Sequence, residues 1–217
     1  MPPRGLDPSG VVLVDKPAGP SSFAIVRDLR ERTGARAGHA GTLDPFATGL
    51  LLVLLGRATK LAGRFVGLDK RYSTEIDLSR RTTTGDPEGD TAEEHDPPTA
   101  HELERHLDEL RGEVELTVPA ASAVKIGGER AYRLHRRGIA VEMPVRRSTV
   151  HELNLVSYDG RVATLDLLVS SGTYVRSIAD ALGGHCASLR RTEVGPFRVE
   201  DADITRVIDS GDALAAL

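Results

Sequence analysis

The chain has no tryptophan, one cysteine, and only four tyrosines and four phenylalanines among its 217 residues. The lone Cys186 excludes an internal disulfide and any zinc cluster built on several cysteines, and it fits a reducing compartment. Long apolar stretches are missing too. The longest, Leu50–Leu55, is too short to cross a bilayer, and Met1–Gly10 lacks the basic and apolar regions of a secretory leader. A cytoplasmic chain without membrane insertion is expected. Neither sign of charge dominates: 28 basic against 32 acidic side chains leave −4, which on its own argues weakly against a nucleic-acid partner. What is present is ordinary globular composition, 40% apolar and 28% charged, enough for a sizeable core.

The charge is unevenly placed. Asp86 to Glu115 holds twelve acidic residues against Arg105 and Arg111, a net −10 that leaves the rest of the chain at +6. Leu116–Thr149 carries seven basic residues against Glu129 and Glu142. Two solvated faces would explain this, as would a basic groove for a polyanion beside an acidic lobe turned away from it.

Periodicity gives the elements. Val11–Asp15 reads as a buried strand and Ser21 or Ser22 as the cap of a helix through about Arg32, with Ile25, Val26 and Leu29 inward and Gly34 as its stop. Gly38–Thr48 reads as a loop, Leu50–Leu55 as a strand buried on both faces, and the stretch through Ala58, Leu61 and Phe65 as a helix. Arg71–Ser79 alternates as a strand with Tyr72, Thr74, Ile76 and Leu78 on one face. Arg80–Pro98 reads as polar loop and Thr99–Glu102 as a capping box opening a helix. Val114–Val118, Thr149–Leu155 and Arg161–Ser170 read as strands, Arg130–Arg137 as a short basic helix, and Thr173–Leu182 as a helix ended by glycines. Leu189–Val199 looks extended and Ile204–Ile208 helical. Strands and helices interleave without a βαβ repeat, so an α+β fold with a mixed, mostly antiparallel sheet is expected, in a single domain over 1–217.

Most chemical motifs fail. His101 and His106 are five apart, whereas a zincin helix needs four to place two histidines on one face. No phosphate-binding P-loop or dinucleotide fingerprint occurs, and Cys186 beside His185 reads as a small buried thiol. One segment stands apart: Gly38-His39-Ala40-Gly41-Thr42-Leu43-Asp44-Pro45-Phe46-Ala47-Thr48-Gly49-Leu50-Leu51. It places one carboxylate on a glycine-rich loop ahead of a buried strand, where scaffolds present catalytic groups; a plain turn with a solvated Asp44 would have the same spacing.

That segment resembles the signature of the TruB-type tRNA pseudouridine synthases. Other blocks occur in the same order: Val14-Asp15-Lys16-Pro17 through Ser22, Asp69-Lys70-Arg71-Tyr72, Ser122-Ala123-Val124-Lys125, Ser171 to Ser177, and Leu189-Arg190-Arg191-Thr192. Ala40 stands where the family often has Thr, and Val118–Ala121 lacks the usual second proline. About twenty residues follow Arg198, too few for the C-terminal PUA-type RNA-binding domain common in the family.

The resemblance implies a pseudouridine synthase fold with a central cleft and, over about 118–148, a thumb-like RNA-binding insertion. It implies an isomerase that needs no cofactor or metal and acts as a monomer on the tRNA T-stem-loop, converting the uridine at position 55 after flipping it out. Asp44 would be the catalytic carboxylate, attacking C1′ or deprotonating the sugar. Tyr72 and Tyr174 would be the pocket aromatics, one stacking on the base and one shaping the far wall; Arg176 would hold Asp44 ionised and oriented, and Leu189 would pack on the uracil. Tyr72 also suits an ordinary core position. His39 would fill space vacated by flipped nucleotides, and Lys16 would support the loop or a phosphate. Lys125, Arg130, Arg133, Arg136 and Arg137 would grip the T-stem backbone. A catalytically silent RNA-binding protein on the same fold, and an unrelated acyl- or phosphoryl-transfer enzyme, are the competing classes.

Overall fold

The computed structural model describes residues 9–217. The leader reading of Met1–Gly10 therefore falls outside the described residues up to position 8. In chain order the elements begin with β1 (Gly10–Lys16), α1 (Ser22–Thr33), β2 (Ala37–His39), β3 (Thr48–Leu55), α2 (Ala62–Val66) and β4 (Lys70–Asp77). Next come β5 (Arg80–Thr82), β6 (Thr91–Glu94), α3 (Ala100–Glu109), β7 (Gly112–Thr117), β8 (Lys125–Ile126), β9 (Glu129–Arg130) and α4 (Ala131–Arg136). The remainder is β10 (Val145–Tyr158), β11 (Val162–Val169), α5 (Val175–Ala181), β12 (His185–Val194), β13 (Phe197–Arg198), β14 (Ile208–Asp209) and α6 (Ser210–Ala215). The chain divides into two compact units: residues up to Tyr72 together with Arg190–Leu217, and Ser73–Leu189.

In the first unit the strands run in the order β14-β1-β3-β12, with β2 also on β3 and β13 on β12. β1, β2 and β14 pair antiparallel, whereas β12 runs parallel to β3 with Arg191 opposite Gly49. Every residue from Leu50 to Leu55 is fully buried, as expected for an apolar run covered on both faces. One side of that run joins Val11, Leu13, Phe65, Val194 and Phe197 in the core, where the Phe65 and Phe197 rings meet at 6.0 Å. Each such aliphatic side chain contributes roughly 1.5–3 kcal/mol through burial. α1 is capped at both ends as its sequence predicts: the Ser21 side chain accepts from Ala24 N–H, and Gly34 takes the left-handed conformation.

In the second unit β4, β11, β10 and β7 lie side by side, and β12 flanks β4. The Thr74 hydroxyl donates to the Ser188 carbonyl at 2.6 Å along that edge. β11 alternates strictly, burying Ala163, Leu165, Leu167 and Val169. α3 opens on the predicted capping box and buries Leu103 and Leu107. The architecture is the expected mixed, mostly antiparallel sheet with helices.

Five local expectations are corrected. Arg80–Pro98 contains a hairpin, β5 on β6, organised by Asp86, whose carboxylate accepts from the Thr84 hydroxyl and Glu88 N–H. Gly38 and His39 pair with β3 as part of β2, so the true loop starts at Ala40. The stretch after β3 is a 3-10 turn, Gly56–Leu61, followed by the short α2. Ile204–Ile208 is not helical: Asp203 accepts from Thr205 N–H and hydroxyl, and the helix waits for the Asp209 cap that opens α6. The acidic run is likewise no single lobe. Asp86 is buried, and Glu115 lies opposite Arg147 with an exposed ion pair between them.

Candidate active site

In the first unit, the segment between β2 and β3 carries Asp44, and two side chains tie that segment down from the protein side. Ser22, the first residue of α1, accepts from Leu43 N–H and donates to the Leu43 carbonyl, both at 2.8 Å. One small hydroxyl therefore satisfies both backbone groups of the residue before Asp44. Lys16, at the end of β1, does more. It is 0% exposed, and its ammonium donates to the carbonyls of Pro17 at 2.8 Å, Pro20 at 3.0 Å and Pro45 at 3.2 Å. Three ammonium protons meet three carbonyls, two on the turn after β1 and one directly after Asp44. Gly19 N–H adds a bond to the same Pro45 carbonyl at 2.8 Å. Burial lowers the Lys16 pKa, and the nearby Asp44 carboxylate opposes that shift.

Beneath the loop the first unit concentrates positive charge. Arg191 and Lys70 are both buried, and Lys70 donates to the carbonyls of Val66 and Leu68. Burial, reinforced by Arg191, pushes the Lys70 ammonium down to about 8, against a smaller opposing pull from Asp69. His39 is half-buried on β2; burial first and Arg191 second lower its pKa, and its Nδ1 is buried without a hydrogen-bond partner. Neutral imidazole is thus the favoured form. Tyr72, at the boundary of this unit on β4, is 7% exposed on the strand's apolar face.

In the second unit Leu189 on β12 is 7% exposed, and Tyr174 is half-buried at the N-terminal boundary of α5, without a side-chain capping bond. Arg176, two residues along, is 3% exposed. It donates to the Thr84 carbonyl at 2.7 Å and the Ala121 carbonyl at 3.0 Å, and stands 3.6 Å from the Asp86 carboxylate. Its neighbour Ser177 donates to the Thr117 carbonyl at 2.6 Å. The start of α5 is therefore fastened to two other segments of the same unit.

The basic residues of the expected thumb also lie in this unit. β8 and β9 form a hairpin around Gly127 and Gly128, both at positive φ, and α4 follows directly. Lys125, Arg130, Arg133, Arg136 and Arg137 are all exposed, while Ala131 and Leu134 turn inward. The Arg133 and Arg136 guanidinium groups each sit 5.9 Å from the Tyr132 ring, Arg137 pairs with Glu129 at 2.9 Å, and Arg130 donates to the Ala123 carbonyl.

Comparison with known proteins decides the lineage. The profile described as TruB family pseudouridylate synthase (N terminal domain) matches residues 29–175. The chain belongs to the TruB family. Curated members include tRNA pseudouridine synthase B of Thermobifida fusca, 44% identical over 210 residues that cover 89% of this chain and 72% of that protein. The protein of the same name from Bordetella avium is 40% identical, with 92% of this chain and 86% of that protein covered. Among solved structures, a chain of a Cbf5-Nop10-Gar1 complex superposes with a TM-score of 0.68 at 28% identity. That match covers 88% of this chain and spans half of the other.

Placed in the TruB frame, the predicted residues fall into three groups. Lys16, His39, Asp44 and Tyr72 lie in the first unit; Tyr174, Arg176 and Leu189 lie in the second; the five basic residues stand exposed on the hairpin and helix of residues 125–137. Lys16 and Asp44 are brought together through the Pro45 carbonyl. Sequence reading did not single out Asp86, Lys70 or Arg191. Asp86 was concealed within an acidic run, and nothing in a string of letters says which charged residue a strand turns inward.

Proposed function

We propose that this chain isomerises uridine to pseudouridine in tRNA, at position 55 of the T-loop, with Asp44 as the catalytic carboxylate. TruB membership and the naming of its curated relatives support the reaction. The observation that carries the assignment of Asp44 is the double fastening of Leu43 and Pro45, on either side of it, by Ser22 and Lys16. A carboxylate between two immobilised neighbours is held in place before substrate arrives, which is where catalytic advantage from orientation comes from.

In the reaction the C1′–N1 bond breaks, the uracil turns within the site, and C1′ bonds to C5; the C5 proton is lost and N1 ends protonated. Asp44 serves either as nucleophile at C1′ or as base on the sugar. The target base leaves the folded T-loop to reach it. Tyr72 and Tyr174 are the pocket aromatics, one stacking on that base and one shaping the far wall, Leu189 packs on the uracil, and Arg176 is the partner that orients Asp44. His39, neutral by virtue of burial, occupies the space the flipped nucleotides vacate. Residues 118–148 act as the thumb of a single catalytic domain, gripping T-stem phosphates through Lys125, Arg130, Arg133, Arg136 and Arg137. The enzyme works as a monomer in the cytoplasm.

The test is tritium release from a tRNA transcript carrying 5-³H-uridine. Release is expected from the normal transcript and not from one in which position 55 is cytidine. No release from either sinks the enzymatic reading, and equal release from both sinks the site.

A further inference from the structure

The buried guanidinium of Arg191 has no part in the reaction as described, yet it donates to carbonyls on either side of Asp44. It is 1% exposed and among the largest fully buried side chains of the protein. Nε donates to the Leu50 carbonyl at 2.8 Å, Nη2 to the Gly41 carbonyl at 3.2 Å, and Nη1 to the Thr42 carbonyl at 3.4 Å. Gly41 and Thr42 lie near the start of the loop; Leu50 lies just beyond its end on β3. One planar fork thus joins the two sides of the loop that carries Asp44.

The backbone of Arg191 is itself held in register. It pairs with Gly49, where an added Cβ would lie 2.2 Å from the Arg191 carbonyl oxygen, so β3 and β12 touch main chain to main chain at this point. Burying a cation costs desolvation that an aliphatic side chain of similar size would avoid. Arg191 also raises the cost of two neighbours, since its charge depresses both Lys70 and His39. Core filling does not account for a residue so placed. A direct grip on RNA phosphate does not either, because the group is sealed from solvent.

We propose that Arg191 is a positioning residue, whose fork clips the carbonyls at both ends of the loop and thereby fixes where the Asp44 carboxylate stands. This rests on Asp44 being the catalytic carboxylate. A lysine keeps the charge but offers one nitrogen in place of three in a plane, so it cannot hold both ends.

The test compares Arg191→Lys and Arg191→Gln with the wild type in three measurements: tritium release, tRNA binding, and amide exchange of Leu43. The folded variants should lose about 10- to 100-fold in kcat, the scale of effect that a small misplacement of a reacting group produces. Their KM and tRNA Kd should stay within about twofold. Exchange at Leu43, slow in the wild type because its N–H is bonded to Ser22, should accelerate. Unchanged kcat, a loss confined to KM or Kd, or unchanged Leu43 exchange overturns the proposal. So does failure of both variants to fold, which would make Arg191 simple core structure. An inactive wild type is a different result and counts against the proposed function itself.

Discussion

Replacing Lys16 by Met removes the ammonium that links the turn after β1 to the residue following Asp44, while keeping most of the side-chain volume. Three charge-assisted hydrogen bonds are lost, at 2.8, 3.0 and 3.2 Å. Such bonds are worth roughly 1.5–3 kcal/mol each, net of the water they displace. Burial lowers the Lys16 pKa against the opposing pull of Asp44, and the substitution relieves that desolvation. The balance is a net loss of about 2–4 kcal/mol, less than the sum of the three bonds, because the Pro17 and Pro20 carbonyls lie on residues that water reaches and the Pro45 carbonyl keeps its bond from Gly19 N–H. For a chain of this size that is a fall in Tm of roughly 5–15 °C. Turnover should fall further than stability implies, since the Pro45 carbonyl, beside Asp44, loses one of its two donors and keeps only Gly19 N–H. Thermal unfolding followed by tritium release at a temperature where the variant is folded separates the two effects. A Lys16→Met protein with wild-type Tm and wild-type kcat would refute the claim that this ammonium holds the loop.

Lys70 makes an alkaline prediction. Folding depresses it from 10.5 to about 8, so between those values the unfolded chain binds the extra proton, and stability should rise with pH across that window by ~2 kcal/mol once solvent screening is allowed for. Urea denaturation at pH 7.5 and 10 measures it, and Lys70→Met should flatten the rise. Gly49→Ala should cost about 4 kcal/mol or more, since its φ is +102° and the new methyl meets the Arg191 main chain; a soluble variant unfolding at wild-type urea would contradict the parallel pairing. Neutralising Arg133, Arg136 and Arg137 together should weaken tRNA binding and lower the salt slope of log K by about two to three; an unchanged slope removes these side chains from the interface.

How much could be read in advance depended on which kind of signal a segment carried. Caps and periodicities were reliable: Ser21, Gly34 and the Thr99–Glu102 box mark real helix ends, and Leu50–Leu55 is a strand buried on both faces. The hairpin within Arg80–Pro98 was invisible because Thr91–Glu94 is exposed along its whole length and shows no apolar alternation. Ile204 to Ile208 misled through apolar spacing, where the side chain of Asp203 instead closes a turn and Ile204 and Val207 face solvent. Within the site, Asp44 stood out because loop glycines and Pro45 frame it. Lys16 was legible only as loop support or a phosphate contact, and its total burial among three carbonyls favours the former. Arg191 was beyond reach. Its role depends on a parallel strand pair between residues more than a hundred positions apart, which no local pattern encodes.

The central claim is that Asp44 supplies the carboxylate on which the isomerisation turns. Asp44→Asn keeps the shape of the side chain and removes its charge, and should leave folding and tRNA binding close to wild type. Tritium release from 5-³H-uridine tRNA, followed over hours at enzyme in excess of substrate, should then be undetectable, against complete release of one equivalent by the wild type. Full release by a demonstrably pure Asp44→Asn protein would contradict the account.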